Sequence, residues 1–128
     1  MIKQLLFAII YLCVDVAWIT LMSERFYNER IVRIQGGEPT RFKPLAAVGA
    51  YVLLLLTMFL VCVPLSRQYA GTAPPWAVFG LVGLCMYGVY NFTNYAIFTQ
   101  YPLSFVIVDT LWGLVSFSAF GYLHQRMV

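Results

Sequence analysis

Two aspartates stand in stretches of this chain that otherwise avoid water. Asp15 lies in YLCVDVAWITLM (11–22) and Asp109 in FVIVDTLWGLVS (105–116), and each belongs to the same short pattern, Val-Asp-x-x-Trp. Trp18 and Trp112 therefore follow their acids at helical i, i+3 spacing, where side chains share a face. A carboxyl group in apolar surroundings is a functional-site candidate, because it can carry a proton, hold a polar ligand or act as an acid or base. Asn91, Asn94, Tyr87 and Tyr90 form a second polar group within YGVYNFTNY (87–95). Together these eight residues make the candidate polar centre.

The composition says what must position them. Of 128 residues, 62% are hydrophobic and only 10% are charged, with a mean hydropathy of +0.80. Soluble domains carry roughly 25% charged residues, so a soluble fold of this size could not cover its own surface. The chain reads as an integral, multi-pass membrane protein, with the lipid bilayer as its first partner. Its net charge of +3 concerns loops near headgroups, and no aromatic-interleaved basic patch of the nucleic-acid kind occurs.

Four apolar segments are long enough to cross ~30 Å of hydrocarbon at ~1.5 Å per residue. They lie at about 4–22, 45–63, 76–98 and 103–123. The fold class expected is all-α, an antiparallel four-helix bundle forming one transmembrane domain over residues 1–128. Pro44 and Pro75 suit first helical positions. The short link TQYP (99–102) makes the last two spans a hairpin. The opening Met1-Ile2-Lys3 and apolar run reads as a retained first span, since Asp15 interrupts it and no Ala-x-Ala pattern follows. Trp76, Tyr69 and Tyr101 suit headgroup-level positions. Span two, with Thr57 as its only polar residue between Tyr51 and Ser66, reads as the outer wall.

The first connection, SERFYNERIVRIQGGEPTRFK (23–43), holds five of the eight basic residues: Arg25, Arg30, Arg33, Arg41 and Lys43. Phe26, Arg30, Ile31 and Ile34 fall at helical spacing and Gly36-Gly37 is a stop. This predicts a helical extension of span one or a surface-lying amphipathic turn. The arginines suit contacts with headgroups or with an anion, and the positive-inside rule places this loop in the cytoplasm and both termini outside.

Counting from the face that carries this loop puts Asp15 at ~12 Å and Asp109 and Asn91 at ~10 Å depth. Three polar side chains from three helices are expected at one level. Asp109, Gly113 and Ser116 share one face of span four, and Asn91 shares one with Tyr87, Gly88, Asn94 and Tyr95; small residues mark close helix contact in membranes. An ionised carboxylate at such depth costs ~3 kcal/mol on insertion scales. Each acid is therefore expected to be protonated, held by Asn, Tyr or Trp donors, or reached by an arginine of the first loop. A close pair would titrate as one coupled unit.

VDVAWI, ERFY, YGVYNFTNYAIF and YPLSFVIVDTLWG, taken together, resemble an uncharacterised family of small membrane proteins, domain of unknown function family 2177. The resemblance runs nearly the whole chain and is weakest over span two and the second loop. It implies a four-span fold and no activity. It also implies an acid after Tyr90, where this chain has Asn91.

Other signals carry less. Cys13, Cys62 and Cys85 fall in apolar stretches without a CxxC pairing, so they read as buried thiols rather than a metal or disulfide framework. His124 is the only histidine and reads as an interfacial side chain. Asn91-Phe92-Thr93 matches a glycosylation pattern at a depth no transferase reaches. No metal site or cofactor is expected, because two carboxylates without histidine are a thin ligand set. Three functional classes stay open. The centre is a working site, for proton-linked or small-solute passage or for a lipid-like ligand; it is hydrogen-bonding glue in a structural or assembly subunit, within a homo-oligomer or a larger membrane complex; or it serves a membrane enzyme with paired carboxylates.

Overall fold

A computed structural model describes residues 1–128. Four helices are long and apolar enough to cross a membrane: α1 (Ile2–Ile34), α2 (Pro44–Gln68), α3 (Pro75–Ile97) and α4 (Leu103–Met127). Pro44 and Pro75 open their helices, where the missing N–H leaves no bond unmade. Gly36 and Gly37 stop α1 with φ of 69° and 95°, and their N–H groups cap the carbonyls of Arg33 and Val32.

α1 continues through the first loop as a helical extension, and it does so by way of a π-type turn over Ser23–Tyr27. α2 carries a second π-type turn over Thr57–Cys62. Pro64 lies just beyond and cannot donate to the preceding turn, so a widened turn upstream has an identifiable cause. Thr57 Oγ1 also bonds back to the Leu53 carbonyl at 2.8 Å, which favours bending.

The widened turn divides α2. Its first half, Pro44–Leu56, has no buried residue, whereas Met58, Cys62, Val63 and Ser66 beyond it are buried. Span two is thus not simply an outer wall: its second half is core. Phe7, Tyr11, Phe79, Phe117 and Phe120 pack with Met58, Cys62 and Val63 into one cluster. Its rings meet edge to face, as Tyr11 does with Phe120 at 4.9 Å and Phe7 with Phe120 at 5.6 Å, the arrangement that ring quadrupoles favour.

α3 and α4 approach most closely, because glycines remove the side chains that would separate them. Gly83 and Gly113 lie backbone to backbone, Gly80 faces Ser118, and Gly121 faces Phe79 and the Pro75 carbonyl. Lipid gives helices little hydrophobic reason to associate, so such close van der Waals contact is the main attraction available.

Two smaller expectations change. His124 is buried, its ring against Phe7, Phe79 and Phe59, so it is a core side chain rather than an interfacial one. Of the cysteines only Cys62 is buried; Cys13 and Cys85 lie on outward helix faces.

Candidate intramembrane site

The two Val-Asp-x-x-Trp patterns meet each other. Trp18 of α1 and Trp112 of α4 stack with ring centroids 4.0 Å apart and planes 1° from parallel. Trp112 Nε1 then donates to Asp15 Oδ1 at 3.0 Å. The tryptophan of one pattern thus serves the acid of the other, and the stack holds that indole in place.

Asp109 is bound differently. Asn91 Nδ2 donates to its Oδ2 at 2.6 Å, and the Tyr27 hydroxyl donates to its Oδ1 at 3.3 Å. Asn91 is completely buried. Its other amide hydrogen has the Tyr87 carbonyl at 2.8 Å, and its own oxygen accepts from Tyr101 at 2.6 Å. Both amide hydrogens and the oxygen are bonded, and this fixes which way the amide points. Burial pushes the Tyr101 phenol above its ordinary pKa, so it remains a donor at neutral pH. A chain of bonds therefore runs from the third loop through α3 to α4 and on to the extension of α1.

Tyr27 reaches this network because of the π-type turn. It lies nine residues after Trp18, which on an uninterrupted α-helix means the opposite face. One extra residue in a turn rotates the rest of the helix back by about 100°. Periodic reasoning along α1 could not find Tyr27 without knowledge of that turn.

Asp15 and Asp109 also line one cavity of about 490 Å³, between the first half of α2 and the other three helices. Ile19, Leu53, Leu54 and Met86 supply apolar wall, and Tyr51, Tyr87 and Tyr90 supply aromatic rings. Tyr90 is mostly exposed and stands at the rim. Asn94 is half-buried beside Tyr101 and makes no bond to either acid. Tyr51 was not apparent from the sequence, because span two looked uniformly apolar; it faces Asp15 across the cavity.

The arginines do not enter. Arg30 folds onto Phe26, its guanidinium 4.2 Å from the ring centre and bonded to the Phe26 carbonyl at 2.8 Å. Arg33 pairs with Glu29 at 2.9 Å on an exposed face, and Arg25, Arg41 and Lys43 are exposed. α1 stays helical to Ile34 and keeps Arg25, Arg30 and Arg33 on its outer sides, and Arg41 and Lys43 lie beyond its end. A tryptophan, an asparagine and a tyrosine, not arginines, serve the acids.

On the side away from the first loop, the polar layer ends at the aromatic cluster. Tyr11, one turn from Asp15, and Phe117, two turns from Asp109, are completely buried, and Phe120 and Phe7 fill the space between them and His124.

Replacing Trp112 with Phe keeps an aromatic ring against Trp18 but leaves Asp15 without its donor. We expect a loss of ~1–2 kcal/mol in bundle stability, read by denaturant titration in micelles. An unchanged midpoint would mean that the 3.0 Å bond contributes nothing.

No curated protein and no solved structure matches the chain. Four apolar helices, a polar layer shared among them and the match of a family model to residues 1–124 agree: the chain belongs to the DUF2177 family of predicted membrane proteins.

Proposed function

We propose that this membrane protein holds an amphipathic small molecule in the cleft beside α2, its apolar body against α2 and α3 and its polar head at the aspartates. The observation that carries this reading is the cavity of about 490 Å³ with apolar and aromatic walls and two carboxyl groups. Ligand sites are typically cavities of about 300–1,000 Å³, mostly apolar, with a few placed polar groups.

Binding is favoured over passage by the aromatic cluster. A conducting path needs polar groups or space on both sides of the acids, and on one side Tyr11, Phe117, Phe120 and Phe7 pack closely. Binding is favoured over glue alone because both acids line open space, whereas a pure tie between helices would be enclosed by its partners. Asp109, bonded on both oxygens, also serves as a tie.

Photolabelling tests this reading. An alkyl alcohol with a diazirine on its chain, added to protein in nanodiscs, should label Ala47–Leu54 and Met86–Tyr90 in preference to other outward segments. Ala50→Trp, which fills the cavity from an otherwise exposed position on α2, should remove that preference. Labelling spread evenly over all outward faces, unchanged by Ala50→Trp, would count against a site.

A further inference from the structure

The two acids of the cleft are not equivalent, and their difference indicates what kind of head the ligand has. Asp109 accepts one hydrogen bond on each oxygen, from Tyr27 and from Asn91. Asp15 accepts one on Oδ1, from Trp112, and none on Oδ2. The residue is only 3% exposed, and what accessibility it has is toward the cavity it lines. A donor carried by a ligand can reach this carboxyl from the cavity, and a charge-assisted hydrogen bond there would be a strong one.

The protein has few donors to offer. The cavity lining contains no lysine, arginine or histidine, and its donors are the hydroxyls of Tyr51, Tyr87 and Tyr90. The Tyr51 hydroxyl is the one turned toward Asp15 from across the cavity. Those three aromatic rings line the same space, and aromatic rings attract cations over their faces. Carboxyl and ring faces thus select for positive charge, while an anionic head would meet two acids and no base.

The rest of the lining excludes a bare metal ion. Calcium takes about 6–8 oxygen ligands and magnesium a near-octahedral shell, whereas the walls here are Ile19, Ala47, Leu53, Leu54 and Met86. A phospholipid headgroup is also a poor fit, since its phosphate would come down beside the acids with its ammonium. We infer that the cleft is selective for free organic cations with an apolar body, and that Asp15 anchors the cationic head. This rests on the cleft being a binding site, as proposed, and names the class of ligand.

The test uses two probes of the same shape and opposite charge, tetraphenylphosphonium and tetraphenylborate. Each is titrated onto the full chain in phosphatidylcholine nanodiscs, after subtraction of its partitioning into empty ones. The phosphonium should bind saturably and at least about tenfold tighter than the borate. Asp15→Asn should weaken it by about tenfold or more, and Asp109→Asn by less. Ala50→Trp should abolish it. Equal binding of the two ions by the unmodified protein would overturn charge selection without recourse to any variant. An equal loss in Asp15→Asn and Asp109→Asn would overturn Asp15 as the anchor. If neither ion binds while diazirine labelling of α2 and α3 stays specific, the cation inference fails and the cleft survives as a neutral site. If labelling is unspecific as well, both fail. Host lipid is in large excess throughout, so saturable phosphonium binding would show that a phosphatidylcholine headgroup does not outcompete the cation for the cleft.

Discussion

Gly113→Val should prevent the bundle from assembling, with a loss of ~3 kcal/mol or more. A Cβ at Gly113 would lie 2.6 Å from the Gly83 carbonyl oxygen and 2.6 Å from Tyr87 Cβ. Neither neighbour is the free end of a flexible chain, so relief requires α3 and α4 to move apart. Overpacking of a core usually costs ~1–3 kcal/mol because side chains can shift, and here backbone must shift. Gly83 is the reciprocal case, since a Cβ there would meet the Gly113 carbonyl and lie 2.6 Å from Phe117 Cβ. The same separation would pull Asn91 from Asp109, so the site should be lost with the fold. Gly88→Ala is the control. Its Cβ would find only Thr110 Cγ2, at 3.6 Å, an ordinary contact, and replacing a mid-helix glycine by alanine favours the helix by ~0.5–1 kcal/mol. Denaturant titration in micelles, with size-exclusion profiles, should show Gly113→Val unfolded or dispersed and Gly88→Ala at least as stable as the parent. If both behave alike, backbone contact is not what joins α3 to α4.

That contrast also marks how far the amino-acid sequence reaches. Hydropathy and proline positions are local signals, and they fix where helices run. Counting residues from one membrane face places Asp15, Asn91 and Asp109 at one level, and Asn91 and Asp109 are in fact bonded across α3 and α4. Helix rise is the same in any surroundings, so depth can be read from number alone. Azimuth cannot be read in that way once a turn is widened. Tyr27 enters the network through the π-type turn at Ser23–Tyr27, and Tyr51 faces the cavity from the half of α2 before the Thr57–Cys62 turn, none of whose residues is buried. Tyr101 looks like a headgroup anchor because its neighbours are loop residues, yet its hydroxyl turns inward to Asn91. Tyrosine serves both roles with the same atoms, and the choice depends on a partner 10 residues away in the chain. The stacking of the two tryptophans is a contact between the first and last helices, and no periodicity within either one encodes it.

Asp109→Leu sets two effects of similar size against each other, and they act at different steps. Removing a carboxyl from a span should ease insertion of α4 by up to ~3 kcal/mol. Assembly of the inserted helices should be weakened, because the Tyr27 hydroxyl and one Asn91 hydrogen lose their acceptors. Interhelical polar bonds in membranes average ~0.6 kcal/mol and reach ~2, so two of them at a buried site give a loss of ~1–3 kcal/mol. Asp109→Asn should lie between Leu and the parent. Its single carbonyl oxygen can accept from Tyr27 or from Asn91 with good geometry but not readily from both, for a loss of ~1 kcal/mol. Stability measured by unfolding from the inserted state reports assembly alone, and there the order should be parent, then Asn, then Leu. A double-mutant cycle between Asp109→Leu and Asn91→Leu then isolates the 2.6 Å bond, with an expected coupling of ~1–2 kcal/mol. A coupling near zero, with Leu as stable as Asp, would mean that the helices do not need Asp109 as a tie. Its two bonds would then serve only to keep a carboxyl group positioned at the cleft, and Asp109 would have to be counted with Asp15 among the groups that face the ligand.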